Sequence, residues 1–598
     1  AALVAWADAH LFERRAVVND YELLAAALAR GRGEAFGLSA LRAAIEQRNY
    51  VREEGTSKLT SRELLRRELD IVFAARDGRR CHGELNPSYR PAETLAPEQK
   101  AAVEKILGSR DFITLFRGGA GTGKSYALKE VERGLTAASR PVVVLAPQRQ
   151  QVHDLQADGL PAETLAHRLQ RNDLPPKAVV ILDEAGQVGG RELHQLVRLV
   201  QAHQGRLILS GDTRQHGAVT ASDALCAIEK HSGLEPAEIK TIRRQNPALA
   251  ASREERRFIR SYRAAVKVAA AGKFAEAFDR LEKLGCVREL PAAERREALA
   301  VEYLAALGRE ENALVVAPTW NEVHAGNDAI REKLRAAGKL GRGVRLRTFQ
   351  ATDWTQAEKR DAAHYAPGQF ACFHKSYGRF AKADVCEIIG ATERGLVLLK
   401  EGRRSTVGFK HTNRLVVARE TEMEIAAGDR LQLKFNGRSV EGAALHNGEL
   451  VTVRRVHKDG AIAVTDDAGR RKSLAPTQRL FVRGHAVTSY ASQGKTVDTV
   501  LFADAAHRGA TNAHQWYVTI SRGRKRVVVF TSDKSELRAN IQQAGTRALA
   551  LDLKPAEQTL APALSQSMQR MMAQDQHQRH QEIIQRIPSA QRSVGARV

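Results

Sequence analysis

"GGAGTGKS", Gly118–Ser125, follows the apolar run "DFITLF" and precedes "YALKEVERGL". The first run has the β-branched and aromatic content of a strand, and the second has the apolar spacing of a helix. Between them stands the order Gly, four residues, Gly-Lys-Ser, carried by Gly118, Gly123, Lys124 and Ser125. Glycines let successive backbone amides turn toward a phosphate, and a helix starting there adds the positive end of its dipole. Gly118, Gly119, Ala120, Gly121, Thr122 and Gly123 are therefore expected to cradle phosphates. Lys124 is expected to reach the terminal ones, and the Ser125 hydroxyl to ligate Mg2+.

A second apolar strand, "AVVILDEA", ends in Asp183 and Glu184. In a parallel sheet the C-terminal strand ends gather at one edge, so these carboxylates fall beside the phosphate loop. Asp183 suits the magnesium shell, while Glu184 suits polarisation of an attacking water. The expected chemistry is hydrolysis of a nucleoside triphosphate, with ATP and Mg2+ as cofactors.

The surrounding sequence extends this pattern. From about residue 95 to 245, "FITLF", "PVVVLAP", "AVVILDE" and "GRLILSGD" alternate with helical segments. Such alternation indicates a parallel sheet covered by helices on both faces. Strand-then-helix texture returns at "ENALVVAPTWNEVHAGNDAIREKL" and again at "HAVTSY", "DTVLFAD" and "RVVVFTS". Between these, short alternating runs with Gly turns ("RGLVLLKEGRRSTVGF", "GDRLQLKFNG", "NGELVTVRRV") suggest small β-barrel-like modules inserted into a second α/β domain.

The expected fold class is thus α/β: two RecA-like parallel-sheet domains, an N-terminal helical domain and inserted SH3-like β modules. The boundaries expected are 1–90 for the helical domain, 91–245 for the first RecA-like domain, and 246–364 with 481–550 for the second. Residues 365–480 form the β-rich insertion, and 551–598 a polar, Gln-rich tail. In the N-terminal part "TSRELLRRELDIVFAAR" reads as a helix capped by Thr60 or Ser61.

Bulk properties restrict the partners. The 598 residues carry 93 Lys and Arg against 69 Asp and Glu, a formal charge of +24 with pI near 10.0. That excess favours a polyanion, because neutralising phosphates releases counterions. No apolar run approaches the roughly 18 residues of a membrane span, so no membrane insertion is expected. Five scattered cysteines form no CxxC pair, which points to a reducing, cytoplasmic home over a disulfide framework or zinc ribbon. The opening "AALVAWADAHLFERR" lacks an initiator Met and a signal-peptide layout, and is expected to be cut from a longer polypeptide.

The ordered set "LAPEQKAAV", "GGAGTGKS", "LAPQRQQVHDL", "VVILDEAGQV", "LSGDTRQHGAV", "TIRRQ", "TSYASQGKTVD" and "WYVTISRGR" resembles superfamily 1 helicases, with a UvrD-like C-terminal half. It is most similar to the RecD-like branch. Within it, "AEKRDAAHYAPGQF" and "HLFERRAVV" resemble the helicase portion of conjugative relaxases of the TraI and TrwC (MobF) type. The resemblance covers most of residues 1–545. It implies an ATP-dependent motor on single-stranded DNA, moving 5′ to 3′, with a relaxosome or a type IV secretion coupling protein as partners.

Carried over by position, the resemblance assigns Gln99 to the adenine edge, where an amide can donate and accept at once. Gln215 would contact the γ-phosphate. Arg244 and Arg522 would be arginine fingers, worth roughly 10³ to 10⁵ in hydrolysis rate. Arg522 belongs to the second α/β domain, so its engagement requires cleft closure. The implied DNA track comprises Pro147 and Gln148, Thr164 and His167, and Thr488, Gln493 and Lys495, which would bind phosphates without reading sequence. His216 and Tyr490 are candidates for stacking on bases.

Three departures accompany the resemblance. Tyr490 stands where relatives often have His. Only nine residues separate "AHRL" from "VVILDE", leaving little room for a strand-separating hairpin. The Tyr nucleophile and clustered histidines of a nicking domain have no counterpart, so nicking is expected to be absent. Competing readings are a RecD-like subunit of a DNA-repair complex and a catalytically silent DNA-binding scaffold. The intact set Lys124, Asp183, Glu184, Arg244 and Arg522 argues against the latter.

Overall fold

The computed structural model describes residues 1–506 and 510–553. The expected tail beyond them, with His577 and His580, lies outside the described residues. Within the described chain two compact units separate, one of Ala1–Leu69 with 548–553, the other Asp70–Arg547. Residues 70–90 therefore group with the larger unit and not with the N-terminal segment.

The smaller unit is not purely helical. Helices Ala2–Leu11, Asp20–Arg30 and Leu38–Glu46 accompany a three-stranded antiparallel sheet of Val18–Asn19, Lys58–Ser61 and Tyr50–Arg52. Strands of two to four residues are too short to show alternation, so sequence periodicity passes over them. Val4, Ala7, Leu23, Leu41, Ile45 and Leu59 form its core. The helix Arg62–Asp77 starts where expected, the Ser61 hydroxyl accepting the Leu64 N–H at 3.2 Å.

The larger unit holds two parallel sheets. The first has six strands in the order Ala162–Thr164, Val142–Ala146, Val179–Leu182, Arg206–Gly211, Ile113–Gly118, Ala237–Ile239. Every ladder in it is parallel. Its central strands are buried on both faces, the condition that helices on both sides impose. The second has five, all parallel: Val287–Glu289, Gly523–Thr531, Val497–Asp504, Ala313–Ala317 and Ala486–Thr488.

Between Ala317 and Ala486 the chain leaves the second sheet, forms the helix Trp320–Ala336, and then builds a two-stranded ladder and two larger antiparallel sheets of six and five strands. Each has its own apolar core, around Ile388, Leu398 and Val417 in one and Leu431, Val453 and Phe481 in the other. Among the described residues these ladders run as open sheets. The insertion begins earlier than the composition shift suggested: Val344–Ala351 pairs along its whole length with Leu415–Ile425, antiparallel. No helix among the described residues is long and apolar enough to cross a membrane.

Candidate nucleotide site at the seam of two lobes

The strand Ile113–Gly118 delivers the phosphate loop to the helix Lys124–Ala137. Gly121 has φ 75°, the left-handed region that glycine enters at little cost. A side chain there would also collide with Arg244 Cβ. The Gly121 carbonyl accepts the N–H groups of Arg243 and Arg244 at 2.7 and 3.1 Å. The "TIRRQ" segment is thereby bolted onto the loop.

Lys124 Nζ lies 2.7 Å from Glu184 Oε1 and 3.0 Å from Asp183 Oδ1. Burial alone would discharge this ammonium, but the two carboxylates outweigh it and hold its pKa above the ordinary lysine value. Burial likewise opposes the charge on Glu184, yet Lys124 and Arg522 hold that carboxyl below the usual range. Glu184 itself sits at φ 52°. A non-glycine residue in that region is uncommon, and such strain concentrates at functional positions. Asp183 Oδ1 accepts the Ser210 hydroxyl at 2.8 Å, which fixes the carboxylate at the end of its strand.

Both expected arginine fingers reach this place. Arg244 Nη1 donates to the Ser521 carbonyl at 2.7 Å, crossing from the first lobe to the second. Arg522 is 1% exposed and donates through Nε to the Val518 carbonyl at 2.7 Å. Burial, with the Arg244 charge beside it, pushes the Arg522 guanidinium down to about 9. Two buried guanidiniums side by side repel each other, and a group of several negative charges is the partner that relieves this. Further contacts close the seam: Gln245 Nε2 donates to the Gly523 carbonyl at 2.5 Å, and Tyr517 accepts the Ala120 N–H at 3.3 Å.

Several of the expected residues are engaged by contacts within the protein or buried in it. Gln99 is buried, with Oε1 accepting the Ala96 N–H at 3.1 Å and Nε2 donating to the Gly123 carbonyl at 3.2 Å. Its amide braces the loop and is already committed at both ends. His216 does not present a free face: it is 3% exposed and stacks on Tyr490, centroids 3.9 Å apart and planes within 14°. Burial, with His514 and Arg522 nearby, pushes His216 down to about 3, so the ring is neutral. Tyr490 is 43% exposed. Lys495 donates to the Gly448 carbonyl of the inserted module at 3.2 Å, and burial lowers its pKa. Gln215 is buried just after the strand Arg206–Gly211.

The remaining track candidates fall at element ends. Thr164 and Thr488 cap short helices, accepting the His167 and Ala491 N–H groups at 3.3 Å each. His167 is exposed, Gln148 is exposed, and Pro147 is half-buried. Two of the candidates, Gln493 directly and Gln148 through Gln187, are linked to the Glu184 carboxylate. Gln493 Nε2 donates to Glu184 Oε2 at 3.4 Å from the second lobe. Gln148 Nε2 donates to Gln187 Oε1 at 2.7 Å, and Gln187 Nε2 to Glu184 Oε2 at 3.1 Å. Sequence reasoning alone misses Gln187, Ser210, Asp212 and Tyr517. Ser210 and Asp212 belong to the "LSGD" strand end, the one local signal that could have drawn attention to them.

A phosphate loop in one parallel sheet, facing an arginine-bearing helix end from a second, defines a P-loop nucleoside triphosphatase. Residues 94–292 match a family described as an AAA domain. The chain is similar to the multifunctional conjugation protein TraI of Escherichia coli, 30% identical over 216 residues, 33% of this chain and 12% of that protein. It is also similar to a probable conjugal transfer protein TraA of Sinorhizobium fredii, 25% identical over 417 residues, 67% and 34% of the two chains. It thus spans between 12% and 34% of the length of these relatives. Among solved structures it is similar to the Pif1 helicase of Bacteroides in complex with ADP-AlF3 and ssDNA. The identity there is 15%, the coverage 73% and 92% of the two chains, and the TM-score 0.41.

Proposed function

We propose that the chain is an ATP-driven motor on single-stranded DNA, the helicase portion of a conjugative DNA-transfer relaxase. The observation that carries this is the convergence on Glu184: Lys124 pairs with it and, together with Arg522, lowers its pKa, Gln493 bonds it from the second lobe, and Gln148 is linked to it through Gln187 in the first. ATP at the seam would place its terminal phosphates between Lys124 of one lobe and Arg244 and Arg522. Glu184 would orient the attacking water, and the guanidiniums would take the charge that builds on the transferring phosphoryl group.

Mg2+ fits the donor set. The Ser125 hydroxyl and the Asp183 carboxylate, fixed by Ser210, are hard oxygen ligands, and Mg2+ characteristically takes one or two such groups beside phosphates and water. When bound, it would neutralise charge on the β- and γ-phosphates. No group of three or more His, Cys, Asp or Glu side chains placed to hold a metal occurs among the described residues, as such a shared shell requires none.

The DNA path would run over Gln148, Thr164, His167, Thr488 and Tyr490 at the strand ends, and 5′ to 3′ movement follows from the helicase resemblance. Cytoplasmic action, and a relaxosome or secretion coupling protein as partner, accompany the conjugation reading, supported by the names of the TraI and TraA relatives. Steady-state ATP hydrolysis by the whole chain, with and without poly-dT, tests the proposal. Stimulated turnover supports a motor; DNA binding without turnover replaces it with a scaffold.

A further inference from the structure

Tyr517 lies on the helix Ala513–Ile520, whose C-terminal end leads to Arg522. Its side chain is fully buried, and its hydroxyl accepts the Ala120 N–H of the phosphate loop at 3.3 Å. A Cβ built on Gly119 would stand 2.9 Å from that hydroxyl oxygen and 3.6 Å from Asp212 Oδ2. Loop, hydroxyl and carboxylate therefore converge on one point that only a glycine leaves open. Asp212 Oδ1 serves Arg214 at 3.0 Å, while Oδ2 is buried with no hydrogen-bond partner among the described residues.

Two residues beyond the C-terminal end of this helix stands Arg522. Its Nε donates to the Val518 carbonyl at 2.7 Å and its Nη2 to the Ser521 hydroxyl at 2.9 Å, so the guanidinium folds back on the turn next to Tyr517. The helix is capped at its other end by Asn512 and Gln515, whose side chains satisfy each other's backbone N–H groups. It is short and tied at both ends, so a shift at Tyr517 is carried to Arg522 by backbone, without an intervening hinge. Burial and the nearby Asp212 push the phenol upward, which keeps its proton in place. The hydroxyl thus accepts from the loop and retains one proton to donate.

We propose that Tyr517 is a positioning residue for hydrolysis: its hydroxyl pins the helix Ala513–Ile520 to the phosphate loop and so sets Arg522 in register with Lys124 and Glu184. The inference rests on the motor reading above and names the contact by which the loop addresses the second lobe. Tyr517 does not touch the reacting atoms; it acts through Arg522.

Tyr517→Phe, Gly119→Ala and the double variant, each in the whole chain, test it. Tyr517→Phe is expected to lower kcat on poly-dT about tenfold or more while KM for ATP stays within about twofold. Thermal melting reports whether each variant folds. Gly119→Ala, which crowds the hydroxyl, is expected to lower kcat in the wild-type background and to do so less in the Tyr517→Phe background, because the two act on one contact. Full kcat in Tyr517→Phe would overturn the proposal, as would a KM rise that accounts for the loss, or a Gly119→Ala defect undiminished in the double variant. A wild-type chain silent on poly-dT would sink the motor reading and this inference together. An active wild type with an equally active Tyr517→Phe would sink this inference alone.

Discussion

Gln493 of the second lobe donates its side-chain amide to Glu184 of the first at 3.4 Å. Gln493 lies in the "TSYASQG" segment assigned to the DNA path, and Glu184 is the carboxylate proposed to orient water. A strand of DNA on that path would therefore act on the hydrolytic group through one hydrogen bond. Gln493→Ala is expected to reduce the ratio of DNA-stimulated to unstimulated ATP turnover by about tenfold, the scale of a lost hydrogen bond to a charged group. A titration of poly-dT at saturating ATP reads the ratio, and an unchanged one would remove Gln493 from the coupling.

Removing the base should separate binding from chemistry. Glu184→Gln keeps the size of the side chain and its bond from Gln187, but it can no longer accept a proton. Turnover is expected to fall about 10² to 10⁴-fold, the range ascribed to general acid–base groups, while the nucleotide still binds. Filter binding beside single-turnover hydrolysis distinguishes the two effects. Retained turnover would mean that another group orients the water.

Lys124→Met leaves Asp183 and Glu184 buried without their cation. In the wild type, Lys124 holds the Glu184 pKa below its ordinary value, so ionised Glu184 stabilises the fold above the unfolded carboxyl pKa, and this contribution fades as pH falls. The variant has no Lys124 to offset burial, so Glu184 resists ionisation in the fold; that cost is greatest at pH 8, and proton uptake relieves it toward pH 5. Its melting deficit should be larger at pH 8 than at pH 5, alongside abolished hydrolysis. An equal deficit at both pH values would show that the ion pair contributes little.

Arg522→Ala is expected to retain nucleotide affinity and lose turnover by about 10³-fold or more, the scale of an arginine finger. Fluorescent-nucleotide binding and steady-state turnover, measured together, check the split. Loss of affinity equal to the loss of rate would make Arg522 a binding group.

His216 supplies a pH test of the lobe seam. Its folded pKa of about 3 lies below the ordinary 6.5, because burial keeps the ring neutral. The unfolded chain binds the proton first as pH falls, so stability present above pH 6.5 is lost progressively toward pH 3, by about 2 kcal/mol between pH 7 and 5. His485 and His374, pushed down to about 3 and about 4 by burial, add to the same slope. His216→Phe keeps a ring for Tyr490 to stack on and removes the titration. Its melting temperature should fall less between pH 7 and 5 than that of the wild type, and an equal fall would mean that His216 is not neutral in the fold.

The phosphate loop and the Asp183–Glu184 pair were legible because each is written in one contiguous strand end, where a local pattern suffices. The alternating parallel segments were legible for the same reason. What escaped depends on residues distant in sequence. The alternation of "VRLRTF" is compatible with a strand in either block, and only its pairing with Leu415–Ile425 puts it in the antiparallel one. Ala237–Ile239 is an edge strand of three residues, too short to announce itself. A glutamine, a histidine and a lysine on a motif say nothing of their partners. Gln99 braces Gly123, His216 stacks on Tyr490, and Lys495 reaches Gly448. Nothing local to "WYVTISRGR" gives Tyr517 a role, because its contact with Ala120 exists only once the two lobes face each other.

A triphosphate held between Lys124 and Arg522 would draw the two lobes together, and its cleavage would let them part. Fluorophores on cysteines replacing Gln201 of the first lobe and Val301 of the second, both exposed, report that distance once Cys81 and Cys226 are changed to serine. On poly-dT with Mg2+, the ADP–aluminium fluoride complex should give a shorter distance than ADP, and Arg522→Ala should erase the difference. One distance shared by all nucleotide states of the wild type would contradict the account.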